Sequence, residues 1–308
     1  MKASDKNIGW IGTGTMGIPM AGHLLKNGFS VNINTRTPSK AQTLIDQGAV
    51  YIEDQSELAS KCDILFLMLG HPDEVKDLLF NQERGLLQFM QDGSIIVDHS
   101  TNKPTYSQEI YQKCKERGIR AIDAPVSGAE TGAINGRLVC MVGGDIEILD
   151  EIQQYLKCYT QAIQHMGIAG CGQHTKMCNQ MMIANNYIGI CESLLYGYKA
   201  KIDLNQMIDL LTKGAANTFL FQHQAKNTIQ REFSVGFSLE LFIKDASVAL
   251  EEANRLGVGL PGLAQALQFY TAAFNLGYGQ KGPNALLCAL ETINGTKIVG
   301  YENIDKTL

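Results

Sequence analysis

The chain has 308 residues, of which 45% are hydrophobic and 19% are charged, and its formal net charge is −5. This length favours about two domains, and this composition indicates a folded globular protein. The negative net charge argues against binding to DNA or RNA. No run of about 18 apolar residues occurs, so we expect no membrane span. Residues Met1–Asn7 do not resemble a signal peptide, and we expect a cytoplasmic protein.

The eight cysteines and six histidines show no metal-binding pattern. The sequence contains no CxxC pair and no HExxH motif, and its histidines are scattered. We therefore predict no metal site, and we interpret the cysteines as reduced thiols that are mostly buried.

Short apolar runs alternate with helical patterns as far as about residue 167. The runs are Ile8–Ile11, Val31–Ile33, Ile64–Leu69, Ile95–Val97, Ala121–Ala124 and Leu138–Val142. This alternation predicts βαβ units around a mainly parallel sheet that is buried on both faces. Gly28, Gly48 and Gly118 fall where left-handed helix ends are expected. We assign residues 1–167 to a doubly wound α/β domain.

Beyond Gly167 the pattern becomes purely helical, so we assign residues 168–308 to an all-α domain. Helices are predicted from Gly170–Gly172 toward Lys199, over Leu239–Leu256 with a stop at Gly257, and after Pro261. The first of these would be on the order of 40 Å long, which is enough to join the two domains.

A glycine pattern, GxGxxG, lies between the first predicted strand and helix. Gly12 would permit a tight turn, Gly14 would let the backbone approach a pyrophosphate, and Gly17 would let the helix pack closely on the strand. The helix N-terminus adds free N–H groups for the phosphates. We predict a dinucleotide site that includes Gly12, Thr13, Gly14, Thr15, Met16 and Gly17. The alternative is a glycine-rich turn with no ligand.

The end of the second predicted strand bears on the choice of cofactor. NAD sites usually place an acidic residue there, but this chain has Asn34-Thr35-Arg36-Thr37. The guanidinium of Arg36 can bind the 2′-phosphate of NADP, so we predict NADP as the cofactor and NAD as the less favoured one. Thr35, Arg36 and Thr37 are candidate cofactor contacts. A solvated Arg36 with NAD bound is the alternative.

Four separated blocks resemble the β-hydroxyacid dehydrogenase family, which includes 3-hydroxyisobutyrate dehydrogenase, tartronate semialdehyde reductase and glyoxylate/succinic semialdehyde reductase. The blocks are GWIGTGTMGIPMAGHL from Gly9, DAPVSGAETGAINGRLVCMVGG from Asp123, GCGQHTKMCNQ from Gly170 and FIKDASVALEEANRLGV from Phe242. The resemblance implies a Rossmann domain, an all-α second domain entered through a long helix, an active site in the cleft between them, and a homo-oligomer, either a dimer or a tetramer.

The resemblance also implies roles for individual residues. Lys176 corresponds to the catalytic lysine, and Ser127, Gly128 and Ala129 correspond to the loop that binds the substrate carboxylate. Thr101 falls where the family contacts nicotinamide and substrate, and Lys244 falls near the cofactor, with a surface residue as the alternative for Lys244. Met68 and Leu69 are further candidate cofactor contacts, and core packing is the alternative for Met68. The family commonly has glycine at the position of Ala129, whose N–H could still serve if its φ is negative.

The third block suggests the chemistry. A nicotinamide cofactor carries the hydride, and Lys176 would donate a proton in reduction and accept it in oxidation. Asn179 and Gln180 follow three and four residues later on the same helix, so they project beside Lys176. Either amide could contact a substrate oxygen. The alternative for Lys176 is a solvated lysine, which would oppose the helix dipole.

The sequence therefore predicts an NADP-preferring dehydrogenase or reductase of a short carboxylate-bearing aldehyde or the matching 3-hydroxy acid. Imine reductases are disfavoured because they lack the lysine found at Lys176. A 6-phosphogluconate-type enzyme would need a longer helical half. From a different class, a catalytically silent dinucleotide-sensing protein could share the fold. It would have no need for the set of Ser127, Lys176, Asn179 and Lys244.

Overall fold

The computed structural model describes residues 6–233 and 236–301. The chain forms two compact units, Met1–Lys176 (unit 1) and Met177–Leu308 (unit 2). This division lies nine residues beyond the domain boundary expected at residue 167. The carboxylate of Asp123 explains the difference, because it accepts hydrogen bonds from the N–H groups of Gly170 and Gln173 and ties the following helix to unit 1. Met1–Asp5, part of the segment compared with a signal peptide, lie outside the described residues.

The described part of unit 1 contains one sheet of nine strands. The strands are β1 (Ile8–Ile11), β2 (Val31–Asn34), β3 (Val50–Tyr51), β4 (Ile64–Leu67), β5 (Ile95–Asp98), β6 (Arg120–Asp123), β7 (Val126–Ser127), β8 (Leu138–Gly143) and β9 (Thr160–Gly167). From β3 to β6 the order is β3-β2-β1-β4-β5-β6, and all neighbours are parallel. β8 is antiparallel to β6 and β7 and parallel to β9. The predicted doubly wound, mainly parallel sheet is confirmed.

Helices connect these strands. They are α1 (Gly17–Lys26), α2 (Gln42–Asp46), α3 (Gln55–Lys61), α4 (Pro72–Phe80), α5 (Pro104–Glu116), α6 (Ala129–Ile134) and α7 (Ile146–Leu156), with 3-10 turns at Pro38–Ala41 and Leu86–Gln88. Gly28, Gly48 and Gly118 have positive φ, as predicted for helix ends.

Both faces of the sheet are buried, which explains the uninterrupted apolar runs. In β4, Ile64 and Phe66 pack in the same cluster as Trp10, whereas Leu65 and Leu67 pack in a second cluster on the other face. A strand covered on both sides needs apolar residues at every position rather than at alternate ones. Burial of both faces also fixes the ends of the parallel strands, where the candidate site residues lie.

The sequence analysis missed β3, β7 and β9. β3 and β7 have two residues each, too few for a detectable pattern. β9 has eight residues but includes polar ones such as Gln161, Gln164 and His165, because it pairs only with β8 and much of it is exposed.

Unit 2 is helical throughout its described residues. Helix α8 (Cys171–Lys199) begins in unit 1, and it is followed by α9 (Leu204–Leu211), α10 (Phe219–Ile229), α11 (Leu239–Leu256), α12 (Pro261–Ala273), a π-helical turn (Phe274–Tyr278), a 3-10 turn (Pro283–Ala285) and α13 (Leu286–Ile293). The predicted helices α8, α11 and α12 are confirmed, and Gly257 ends α11 with φ of +71°. Among the described helices none is long and apolar enough to cross a bilayer.

Candidate active site

The three glycines between β1 and α1 have different roles. Gly12 has φ of +103°, and a Cβ added there would lie 2.2 Å from the carbonyl oxygen of Met68. A Cβ on Gly17 would lie 1.9 Å from the carbonyl oxygen of Gly12. A Cβ on Gly14 would have no atom within 4 Å. Gly12 and Gly17 are therefore required by the fold, whereas Gly14 keeps an open backbone surface at the start of a helix.

The same turn carries a buried polar group with an unused hydrogen bond. Thr13 is 3% exposed, and its Oγ1 has no hydrogen-bond partner within the part of the chain that is described. Thr15 is exposed and Met16 is partly buried. An unsatisfied buried hydroxyl is costly unless a ligand or water uses it. The open Gly14 backbone, the α1 N-terminus and the Thr13 hydroxyl together fit a dinucleotide pyrophosphate.

At the end of β2, Asn34 is a structural residue. Its amide donates to the carbonyl oxygens of Ile52 and Glu53 and accepts from Gln55. Asn34 is 3% exposed, so its side chain is fully engaged beneath the surface. The adenosine end of a dinucleotide would therefore meet the residues that follow it.

Those residues are Thr35, Arg36 and Thr37. The Oγ1 of Thr35 accepts from the N–H of Thr37 at 3.4 Å. Arg36 is exposed, and its Nη1 lies 2.9 Å from the Oε1 of Glu74 in the first turn of α4. The sequence analysis missed Glu74, because 38 positions separate it from Arg36 and no local spacing connects them.

Two further cofactor segments predicted from sequence meet at the ends of β4 and β5. The N–H of Leu69 donates to the Oγ of Ser100 at 2.9 Å, and Ser100 directly precedes Thr101. Met68 is partly buried beside the loop glycines. The structure thus brings Met68, Leu69 and Thr101 to one edge of the sheet.

His99, in the same segment, belongs to the core. Its Nδ1 donates to the carbonyl oxygen of Ala124 at 2.6 Å, and its Nε2 lies 2.9 Å from the hydroxyl of Tyr159. Complete burial lowers the pKa of His99 to about 4. The imidazole is therefore neutral at physiological pH, and its hydrogen bonds connect the end of β5 to the end of β6 and to Tyr159, which precedes β9.

The candidate carboxylate loop has an unusual backbone. Ser127 ends β7, and Gly128 has φ of +137° before α6 begins. Ala129 has φ of +55°. The condition that we set for the use of the Ala129 N–H, a negative φ, is therefore not met. The left-handed conformation explains why glycine suits this position, since a Cβ costs about 1–2 kcal/mol there.

We predict that Ala129→Gly leaves the free energy of unfolding unchanged or raises it by up to about 1.5 kcal/mol. The substitution relieves the left-handed strain, and the extra backbone entropy of glycine offsets about 0.5–1 kcal/mol of that gain. Chemical denaturation measures the change, with Ala129→Val as the matched comparison, because a β-branched side chain increases the strain. A loss of about 0.5–1 kcal/mol or more in Ala129→Gly would show that the strain is absent, because only the entropy cost of glycine would then remain.

Lys176 lies against this loop. It is only 8% exposed, and its Nζ donates to the carbonyl oxygen of Val126 at 2.7 Å. Val126 is the neighbour of Ser127, so the buried ammonium and the candidate carboxylate loop are adjacent within unit 1. A buried ammonium is costly unless polar partners compensate for its lost hydration. The sequence analysis placed Lys176 on a helix, and the structure shows that its Nζ bonds to β7 directly before the Ser127 loop.

In unit 2, side chains of α8 and α11 form a connected set of polar contacts. The Nδ2 of Asn179 donates to the Oε1 of Gln180 at 2.8 Å, and the Nε2 of Gln180 donates to the Oδ2 of Asp245 at 2.6 Å. The Nζ of Lys244 lies 2.8 Å from the Oδ1 of Asp245. The predicted residues Asn179, Gln180 and Lys244 are therefore connected. Asp245, which the sequence analysis missed, is fully buried and connects them.

Known proteins match nearly the whole chain. Residues 7–167 match the family described as the NAD binding domain of 6-phosphogluconate dehydrogenase. Residues 170–290 match the family described as NAD-binding of NADP-dependent 3-hydroxyisobutyrate dehydrogenase. The chain is 37% identical over 295 residues to the probable 3-hydroxyisobutyrate dehydrogenase-like 1, mitochondrial, of Arabidopsis thaliana, covering 96% of this chain and 88% of the relative.

One further relative and one solved structure are also similar to the chain. The chain is 32% identical over 291 residues to 2-hydroxy-3-oxopropionate reductase of Escherichia coli, covering 94% of this chain and 99% of the relative. The solved structure of Psf3 in complex with NADP+ and 2-OPP is similar with a TM-score of 0.85 at 26% identity, covering 92% of this chain and 99% of that chain.

Proposed function

This chain belongs to the β-hydroxyacid dehydrogenase family, and on that premise we propose that it transfers a hydride between NADP(H) and a short 3-hydroxy acid or the matching semialdehyde. Members of the family are oxidoreductases that act on hydroxyl groups. The observation that carries the proposal is the buried ammonium of Lys176 beside the Ser127 loop. A silent nucleotide sensor would have no use for a buried cation that needs compensation.

Each candidate residue has a separate role in the proposed reaction. A bound nicotinamide supplies or takes the hydride. The Nζ of Lys176 donates a proton to the carbonyl oxygen in reduction and takes it back from the hydroxyl in oxidation, which typically contributes about 10²–10⁴-fold to the rate. Ser127 and Gly128 would bind the carboxylate through backbone N–H groups and the serine hydroxyl. Ala129, with a φ of +55°, does not meet the condition for the use of its own N–H.

We assign the substrate contact in α8 to Asn179 rather than Gln180. Both ends of the Gln180 amide are engaged, since its oxygen accepts from Asn179 and its nitrogen donates to Asp245. Gln180 is also only 2% exposed, whereas Asn179 is partly buried. Gln180 would therefore orient Asn179, and Asp245 holds Lys244 in the same set of contacts.

The cofactor would be held by residues on unit 1. Its pyrophosphate would lie on the turn Gly12–Gly17, and its nicotinamide half near Met68, Leu69 and Thr101. Its adenosine half would lie near Thr35–Thr37. We propose NADP rather than NAD, because Arg36 is the charged group at the end of β2 and guanidinium binds phosphate oxygens in pairs.

Cofactor choice should respond to both members of the pair formed by the exposed Arg36 and the half-buried Glu74. Arg36→Asp should reverse the preference for NADPH over NADH, because it replaces an attraction for the 2′-phosphate by a repulsion. Glu74→Gln should strengthen NADPH binding by up to about fivefold and leave NADH binding unchanged, since it removes an ion pair of about 0.2–1 kcal/mol that competes for Arg36.

Fluorescence titration of both reduced cofactors measures these changes. Asp73→Asn is the matched control for Glu74→Gln, because Asp73 lies in the same helical turn and is exposed. Equal affinity of the unmodified protein for NADPH and NADH would contradict the assignment of Arg36.

A substrate panel tests the proposed activity. The Escherichia coli relative is named for 2-hydroxy-3-oxopropionate, a three-carbon semialdehyde, and we propose the same chemical class here. The panel comprises succinic, methylmalonic and tartronic semialdehydes and glyoxylate, each with NADPH. We expect cofactor oxidation with at least one of them. NADPH binding without turnover on any member would instead support the nucleotide sensor.

We also propose a homo-oligomer assembled through unit 2. Its helices expose large apolar side chains, among them Met182, Tyr196, Leu210, Phe219 and Ile293. Such an apolar surface favours burial in an interface. Sedimentation at micromolar concentration should therefore show a dimer or tetramer, and a monomer would contradict the proposal. A cytoplasmic location is consistent with the eight free thiols.

A further inference from the structure

The side chain of Gln173, at the start of α8, bonds to the segment that follows β5. It is fully buried and lies three residues before Lys176 on the same helix. Its Oε1 accepts from the N–H of Asn102 at 3.0 Å, and its Nε2 donates to the carbonyl oxygen of Ser100 at 2.8 Å. One side-chain amide therefore bonds the backbone on both sides of Thr101.

Two buried carboxylates hold the groups that this amide connects. Asp98 accepts from the N–H of Ser100 at 2.9 Å and from the Nδ2 of Asn102 at 3.2 Å. Asp123 accepts from the N–H of Gly170 at 2.7 Å and from the N–H of Gln173 at 2.8 Å. The end of β5 and the first turn of α8 are thus each fixed, and Gln173 joins them.

We infer that Gln173 is a positioning residue that sets the Thr101 segment relative to Lys176. This inference rests on the proposed function, in which Thr101 faces the nicotinamide and Lys176 exchanges the proton. The Oγ of Ser100 also accepts from the N–H of Leu69, so the same connection reaches the cofactor segment after β4. Gln173 itself touches neither the substrate nor the reacting atoms.

The physical basis is the precision that hydride and proton transfer require. A displacement of about 1 Å in the reacting groups can lower a rate about 10²-fold. Without the Gln173 amide, the buried carbonyl of Ser100 and the N–H of Asn102 would each lose a partner and would have to move to find others. Such a movement would displace Thr101 while leaving the cofactor phosphates on the turn between β1 and α1.

Two variants of the full-length protein separate positioning from simple stability. Gln173→Met keeps the length of the side chain but loses both hydrogen bonds, and we expect kcat to fall at least about tenfold with NADPH affinity within about threefold of normal. Ile152→Val is the control, because it truncates a fully buried core residue of unit 1 away from this network. It should lower stability and leave kcat unchanged.

Gln173→Glu provides a second readout, the pH dependence of kcat, which a purely structural role of Gln173 would not change. The neutral carboxyl can donate to Ser100 and accept from Asn102 as the amide does, whereas the carboxylate would repel the Ser100 carbonyl. Asp98 on β5 and Asp123 on β6 face this site and favour the neutral form. On its own helix, Lys176 is directed to Val126.

We expect kcat of Gln173→Glu, divided by that of Gln173→Met at the same pH, to rise as pH falls from mildly alkaline to mildly acidic. Burial raises the pKa of Asp123 to about 7, so Asp123 titrates in the same range in both variants, and the Gln173→Met profile is the reference for its contribution. The acid at position 173 and Asp123 titrate as a coupled pair, so a pH-dependent ratio reports on the pair. A flat ratio, or a Gln173→Met kcat above half of normal, overturns the inference alone, provided that the unmodified protein turns over a member of the panel. Absence of turnover in the unmodified protein overturns the proposed function and this inference with it.

Discussion

Replacement of Lys176 by alanine is expected to lower turnover by at least about 10²-fold while NADPH binding stays near normal. The ammonium is buried beside the carboxylate loop, where its loss removes the proton donor. The cofactor phosphates would lie on the turn Gly12–Gly17, which the substitution does not touch. Steady-state kinetics at saturating substrate and a fluorescence titration with NADPH measure the two effects separately.

Two further variants sharpen this test. Lys176→Arg should not restore the rate, because a guanidinium does not deprotonate near neutral pH. Lys199→Ala is the control, since it removes an exposed lysine from the other end of the same helix. It should leave turnover unchanged. Retention of more than about a tenth of normal turnover in Lys176→Ala would be too small a loss for a positioned acid.

Gly14→Val is expected to weaken NADPH binding at least about 100-fold and to leave the free energy of unfolding nearly unchanged. A Cβ at Gly14 meets no protein atom within 4 Å, so the side chain can be accommodated by the fold. It would instead occupy the space over the α1 N-terminus, where the pyrophosphate is expected. Loss of two charge-assisted hydrogen bonds of about 1.5–3 kcal/mol each accounts for that size of effect.

The control for this prediction is Gly259→Val, another exposed loop glycine whose added Cβ has no neighbour within 4 Å. It should change neither stability nor cofactor affinity. In contrast, Gly17→Val should destabilise the fold, because a Cβ there collides with the Gly12 carbonyl. If Gly14→Val binds NADPH as tightly as the unmodified protein, the turn is not the pyrophosphate site.

Features defined by nearby residues could be predicted from the sequence. The turn between β1 and α1 depends on three glycines within six positions, and the end of α11 depends on Gly257. Buried parallel strands such as β4 were recognisable because both faces demand apolar residues. Local patterns of this kind require no knowledge of distant partners.

Features defined by distant residues could not be predicted. The Gln173 amide meets residues more than 70 positions away, and Glu74 meets Arg36 from a different helix. Neither pairing leaves a periodic signal. The positive φ of Ala129 depends on how β7 leads into α6. Gln173 does carry one usable signal, because it lies one helical turn before Lys176 on the same face.

The most direct test of the central claim follows the hydride itself. NADPH carrying deuterium at the transferring position of C4 is supplied with the semialdehyde that the protein turns over best, and the product is examined by mass spectrometry and NMR. Direct transfer predicts one deuterium per product molecule, bound to the former carbonyl carbon, and a slower reaction than with unlabelled NADPH. A hydroxy acid product without deuterium at that carbon would contradict hydride transfer by this protein.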